Sequence, residues 1–100
     1  MEQYKIRIYS AAKRDMREIV GYLNTLSEQA AVKYYDLLME EIGSLAEMPH
    51  RYPRPKNRVL AAKGYRYLVV KDYLVFYVVV GEVVQIRRIL YGKRDYTHLL

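Results

Sequence analysis

At 100 residues with a net charge of +6 and no cysteine, the chain has room for one core burying roughly two thirds of its unfolded surface, and it excludes disulfides, thiolate metal sites and a cysteine nucleophile. Its longest apolar run, YLVFYVVV, is far too short to span a bilayer, and MEQYKIRIYS lacks the basic-then-apolar layout of a signal peptide, so the expectation is a soluble cytoplasmic protein with a single domain over residues 1–100 and no membrane contact. Residues 1–47 hold six Lys/Arg against eight Asp/Glu and residues 48–100 eleven against three, so the basic character lies in the second half, where it favours a polyanion or an acidic protein partner.

In YKIRIY, Tyr4, Ile6 and Ile8 alternate with Lys5 and Arg7, the period-two pattern of a half-buried strand. Ser10 then stands as the N-cap of a helix ending near Asn24. Its buried stripe is Ala12, Met16, Ile19, Val20 and Leu23, with Lys13, Arg14, Asp15, Arg17 and Glu18 opposite. Ser27 caps a second helix whose stripe is Ala31, Tyr34, Tyr35, Leu38, Ile42 and Leu45, and Pro49 forbids its continuation. The short link NTLS makes the two helices an antiparallel hairpin. The acidic Asp36, Glu40 and Glu41 read as a solvated face.

After the proline-rich MPHRYPRPKN the chain turns β-rich: YRYLVV, YLVFYVVV and VVQIRRIL, with breaks at Lys71-Asp72 and Gly81-Glu82. Glycine supplies the positive φ that a two-residue hairpin turn needs, so a three-strand meander is expected. In the last strand Val84 and Ile86 share a face but Ile89 follows three places later, which predicts a bulge near Arg87 and Arg88. The predicted class is α+β, in the order β-α-α-β-β-β: an antiparallel sheet with the helical hairpin on one face and the other face free for binding. The expected core contains Ile6, Ile8, Ile19, Leu23, Leu38, Ile42, Val69, Val75 and Val78.

The candidate binding residues are Arg66, Arg87, Arg88, Tyr91, Lys93, Arg94, Tyr96 and His98. Interleaved guanidinium and aromatic groups suit nucleic acid, the first pairing with phosphates and the second stacking on bases. The strand tyrosines Tyr65, Tyr67, Tyr73 and Tyr77 read more plainly as packing, whereas Tyr91 and Tyr96 lie beyond the strand. Gly92 permits a turn that would hold Lys93, Arg94 and Tyr96 beside Arg66. For proton transfer the chain offers His50, His98, Tyr91, Tyr96 and Glu47, of which His98 reads first as a solvated terminal residue. No His/Asp/Glu cluster has metal-ligand spacing, and no cofactor is implied.

The ordered set of a first strand, the helix AAKRDMREIVGYL, a second helix ending in SLAEMPHRYP, the hairpin GYRYLVVKDYLVFYVV and a strand running into RILYGKRD resembles the RelE/ParE superfamily of bacterial type II toxins, which includes plasmid stabilisation proteins. The resemblance covers nearly the whole chain. It implies a growth-inhibiting toxin neutralised by a cognate antitoxin, small and acidic, that wraps it. RelE-like members are ribosome-dependent mRNA endonucleases needing no metal, whereas ParE-like members poison DNA gyrase and are not enzymes. Of the RelE-like catalytic positions, Arg66 matches the one on the second strand and Arg94 the one after the last. The third strand opens with Tyr73 where an arginine is expected, and Leu100 falls about where RelE has a C-terminal tyrosine. The long helical hairpin and the short terminus lean to the ParE-like side. The alternatives are a RelE-like nuclease and, from another class, a basic module that binds nucleic acid or an acidic peptide without toxicity.

Overall fold

The computed structural model describes residues 3–93 and 95–100. Strand β1 (Lys5–Ile8) leads into helices α1 (Ser10–Leu26) and α2 (Glu28–Gly43). After them come a short helix α3 (Arg58–Ala62) and strands β2 (Tyr65–Val70), β3 (Tyr73–Val80) and β4 (Val83–Tyr91). Single 3-10 turns lie at Ser44–Ala46, Pro49–Arg51 and Thr97–Leu99.

Local chemistry accounts for most of these boundaries. Ser27 caps α2 as expected, its hydroxyl accepting from the Ala30 N–H at 3.2 Å. Ser10 does not cap α1: Tyr9 occupies the cap position without a side-chain hydrogen bond, Ser10 is already helical, and the helix runs to Leu26. The short α3 lies inside a stretch read as loop. Asn57 nucleates it, with Oδ1 accepting from the N–H groups of both Val59 and Leu60. Both hairpin turns contain a residue with positive φ, Lys71 at 55° and Gly81 at 59°.

The sheet order is β1-β4-β3-β2. The meander β2-β3-β4 is antiparallel, while β1 pairs with β4 in parallel. The helical hairpin between them provides the long crossover a parallel pair requires. The predicted bulge is present: Phe76 stands opposite Arg88 and Tyr77 opposite Ile86, leaving Arg87 as the extra residue.

The helical hairpin covers one face and forms the larger core, in which Ala12, Leu38, Val75, Tyr77, Val84 and Ile86 are fully buried. Ile6, Ile8 and Leu23 pack on its margin. Tyr35, placed in the α2 stripe from its spacing, is exposed instead. Val69 is 57% exposed, because on edge strand β2 it is Leu68 and Val70 that turn toward the helices.

The second face is not bare. A smaller cluster of Leu60, Tyr65, Phe76, Val78 and Leu90 forms there, with Tyr96, Leu99 and Leu100 folded back onto it. Val78 belongs to this cluster and not to the helical core. The half of that face built on β2 and β3 is thus roofed by α3 and the C-terminal segment. The half built on β1 and β4 presents Lys5 and Arg7, both exposed, beside the half-buried Gln85 and Arg87.

Candidate functional site

The bulge sends consecutive arginines to different partners. Arg87 stays over the uncovered half of the sheet, where its Nε and Nη2 donate to Gln85 Oε1 at 3.1 and 2.7 Å. Its guanidinium lies 4.7 Å from the centre of the Tyr9 ring, and Arg7 approaches the same ring at 5.4 Å. Two cations on one aromatic ring, with Lys5 along the strand, concentrate positive charge next to a π surface.

Arg88 is turned to the sheet margin, where β1 has ended. Its Nε and Nη2 donate to Asp15 Oδ2 and Oδ1 at 2.7 and 2.9 Å, a fork-to-fork pair. The Ile89 N–H, beyond the end of β1, donates to the same Oδ2 at 2.9 Å. Arg88 Nη1 reaches the Leu99 carbonyl at 3.4 Å. Asp15 is buried, contrary to its expected place on the solvated face of α1. The carboxylate holds the Arg88 guanidinium above its already high ordinary pKa, against the opposing effect of burial. Helical arithmetic carried a signal for Asp15: it lies three residues from Ala12 and four from Ile19, hence on their stripe.

Arg66 lies elsewhere. It pairs with Tyr77 across β2 and β3, and its Nη1 donates to the Tyr52 carbonyl at 2.7 Å. That places it on the helix-covered face, under the loop after α2. Tyr77 is fully buried there, its hydroxyl donating to the Pro49 carbonyl at 2.5 Å. Burial pushes the Tyr77 phenol up to about 12, although Arg66 and Arg51 pull the other way.

The exit from β4 forms a further grouping. Tyr91 is 42% exposed and stands edge-on to Tyr73 at 5.9 Å, which in turn meets Tyr34 at 5.8 Å. Burial raises the pKa of Tyr34 and of Tyr73. Gly92 N–H donates to the Asp72 carbonyl at 2.8 Å, and Lys93 is exposed just beyond. Arg94 lies outside the described residues. Asp95 then closes a small turn, accepting from the Thr97 N–H at 3.3 Å and hydroxyl at 3.0 Å, which lowers its pKa. Tyr96 stacks obliquely on Phe76 at 4.9 Å, in the second-face cluster, and His98 is exposed.

Among the described residues, the fold therefore does not gather the expected site residues at one place. Arg66 is separated from Tyr96 by the thickness of the sheet, because their β3 neighbours, Tyr77 and Phe76, point to opposite faces. Arg87 acquires partners that spacing alone did not single out, Tyr9, Arg7 and Gln85, brought together by the parallel register of Arg7 with Gln85. Among the described residues no group of three or more His, Asp or Glu is placed to hold a metal ion.

The profile of the ParE toxin of the type II toxin-antitoxin system, parDE, matches residues 6–96. Among solved structures, a chain of the chromosomal ParDE toxin-antitoxin system from P. aeruginosa superposes with a TM-score of 0.79 at 20% identity, covering 93% of this chain and 100% of that one. A chain of the toxin-antitoxin complex RelBE2 from Mycobacterium tuberculosis superposes with a TM-score of 0.59 at 26% identity, covering 91% and 93%. No curated protein matches the sequence.

Proposed function

The chain belongs to the ParE toxin family of type II toxin-antitoxin systems, and from that membership we propose that it arrests growth by poisoning DNA gyrase and is held in check by a small acidic antitoxin. The observation that carries the gyrase reading is the separation, among the described residues, of Arg66 from Tyr96 and His98, the groups at the C-terminal end that could serve proton transfer. Cleaving RNA through its own 2′-hydroxyl needs a base, an acid and cations around one phosphate. Here Arg66 is committed to the Tyr52 carbonyl on the helix-covered face, while Lys93, Tyr96 and His98 lie at the exit and on the far face. The two structural neighbours fit a toxin that pairs with an antitoxin, each coming from a toxin-antitoxin system.

The second reading is a RelE-like mRNA endonuclease, favoured by the likeness to the RelBE2 chain and by the presence of Arg66 and Arg94 at matching positions. Expression without antitoxin separates the two. Growth arrest with intact mRNA and trapped gyrase–DNA cleavage complexes supports the gyrase reading. Rapid loss of translated mRNA with intact DNA replaces it with nuclease action, and unimpaired growth replaces both with a non-toxic binding module. The assays are then repeated on Arg94→Ala, checked for folding by circular dichroism: loss of toxicity with antitoxin binding retained assigns the C-terminal exit to the target.

A further inference from the structure

The uncovered half of the sheet carries charge that the fold does not neutralise. Among the described residues the ion pair to a carboxylate is that of Arg88 with Asp15, so Arg7 and Arg87 have no anionic partner there. Neither strand beneath them, KIRI in β1 or VVQIRRILY in β4, contains an acidic residue. Their guanidinium carbons nonetheless lie 5.4 and 4.7 Å from the centre of one ring, that of Tyr9. Like charges gathered so closely repel, and the repulsion is relieved by solvent, by salt or by a bound anion.

Local features hold the two cations where they are. The Tyr9 N–H donates to the Ile86 carbonyl at 2.9 Å, so the last bond between β1 and β4 fixes the ring. The bulge makes Arg87 the extra residue, and Gln85 Oε1 takes its Nε and Nη2, which leaves Nη1 for another acceptor. Gln85 stands opposite Arg7 in the parallel register, and Lys5 precedes Arg7 by two residues on the same face, about 7 Å along the strand. That is close to the spacing of neighbouring phosphates on a nucleic-acid strand. Helix α1 begins at the next residue after Tyr9, with no side-chain cap and no acid in its first turn, so its positive end adds to the same field. A shallow trough lined by Arg7, Tyr9, Ser10 and Lys13 continues the basic track.

We propose that Arg7, Arg87 and Lys5 bind the phosphodiester backbone of a nucleic acid without regard to its base sequence, with Tyr9 as the residue that positions both guanidinium groups. Forked donors suit phosphate oxygens, and contacts to the backbone carry no sequence information. An acidic peptide is the poorer match, because a peptide interface draws most of its energy from aromatic or apolar anchors seated in pockets. The Tyr9 ring already carries both guanidinium groups and is not available as such an anchor. Duplex DNA is the favoured source of the phosphates, and that choice alone rests on the gyrase reading, since gyrase acts on DNA.

The test is fluorescence anisotropy of the full chain with a short labelled duplex DNA and a single-stranded RNA of equal length, over a range of salt, each variant being checked for folding by circular dichroism. Arg7→Gln with Arg87→Gln should weaken binding about tenfold or more and lower the slope of log affinity against log salt by about two contacts. Arg54→Gln with Lys56→Gln removes the same charge from exposed positions of the proline-rich loop, along the β2 edge, and should leave the slope unchanged. Tyr9→Leu should weaken binding with the formal charge intact, whereas Tyr9→Phe, which keeps the ring, should bind as the unaltered chain does. Absence of binding to either nucleic acid, an equal loss of slope in the loop variant, or full affinity in Tyr9→Leu overturns the proposal. So does tighter binding of a poly-glutamate peptide than of either nucleic acid, which would make this a protein-docking face. Tighter binding of RNA with the same pattern of losses upholds the site and replaces DNA as its source. Growth arrest is scored separately: DNA binding without arrest upholds the site and removes the gyrase reading alone.

Discussion

Asp15 on α1 and Arg88 on β4 meet in two parallel hydrogen bonds, at 2.9 and 2.7 Å, from positions 73 residues apart. The carboxylate also receives the Ile89 N–H at 2.9 Å, so it takes over the role of a neighbouring strand where β1 stops. Arg88 extends the chain of contacts to the Leu99 carbonyl. One buried carboxylate thereby couples the first helix, the last strand and the C-terminal segment.

Asp15→Ala should accordingly be costly. It leaves a guanidinium and a backbone N–H without their partner, and breaking a buried pair costs about 3–5 kcal/mol. Arg88 keeps some contact with water, its side chain being 21% exposed, so the expected loss is nearer the lower figure. Denaturant unfolding measures it. A loss no larger than that of an ordinary surface substitution would show that the pair contributes little. Exchange at the Ile89 amide should rise in the same variant.

Tyr77 makes stability sensitive to alkali. Its phenol ionises near 10 when unfolded and is pushed up to about 12 in the fold by burial. The folded state therefore holds the proton that the unfolded state releases. The contribution is fully present below pH 10 and is lost as pH rises toward 12, on the order of 2 kcal/mol. Tyr34 and Tyr73 shift in the same direction. Unfolding free energy measured across this range should fall, and should fall less steeply in Tyr77→Phe. Equal slopes in the two proteins would remove Tyr77 as the cause.

Leu38 and Val69 are both apolar positions expected in the core, and the fold separates them. Leu38→Ala should cost roughly 2–5 kcal/mol, since it opens a cavity beneath the hairpin. Val69→Ala, on the exposed side of β2, should change stability by only about 0.5 kcal/mol. Parallel denaturation curves decide it, and similar losses for both would contradict the facing of β2.

Tyr96 on Phe76 should anchor the C-terminal segment over the second cluster. Tyr96→Ala removes an aromatic pair contributing about 0.5–1.5 kcal/mol beyond its buried area. It should also uncover Leu90 and Val78, detectable as increased binding of a hydrophobic dye. Unchanged dye binding with unchanged stability would mean that residues 97–100 hold the roof without it.

Much of this molecule was legible from neighbours in sequence. Alternation in YKIRIY, the Ser27 cap, the hairpin turns and the Arg87 bulge each follow from a few adjacent residues, because period, capping and turn geometry are local properties of the backbone. The family resemblance was legible too, since it lies in the order of those elements. Tertiary structure alone decided which face each charge and ring would serve. Spacing could put Asp15 on the stripe of Ala12 and Ile19, but only the distant end of β4 supplied the arginine and the N–H that make its burial tolerable. Arg66 and Tyr96 looked like neighbours on one surface until β3 turned Tyr77 and Phe76 to opposite faces. The platform of Arg7, Tyr9 and Arg87 exists only because β1 joins β4 in parallel, a pairing between residues about eighty positions apart. Such contacts are settled by how layers close over a shared core, and no window of adjacent residues contains that information.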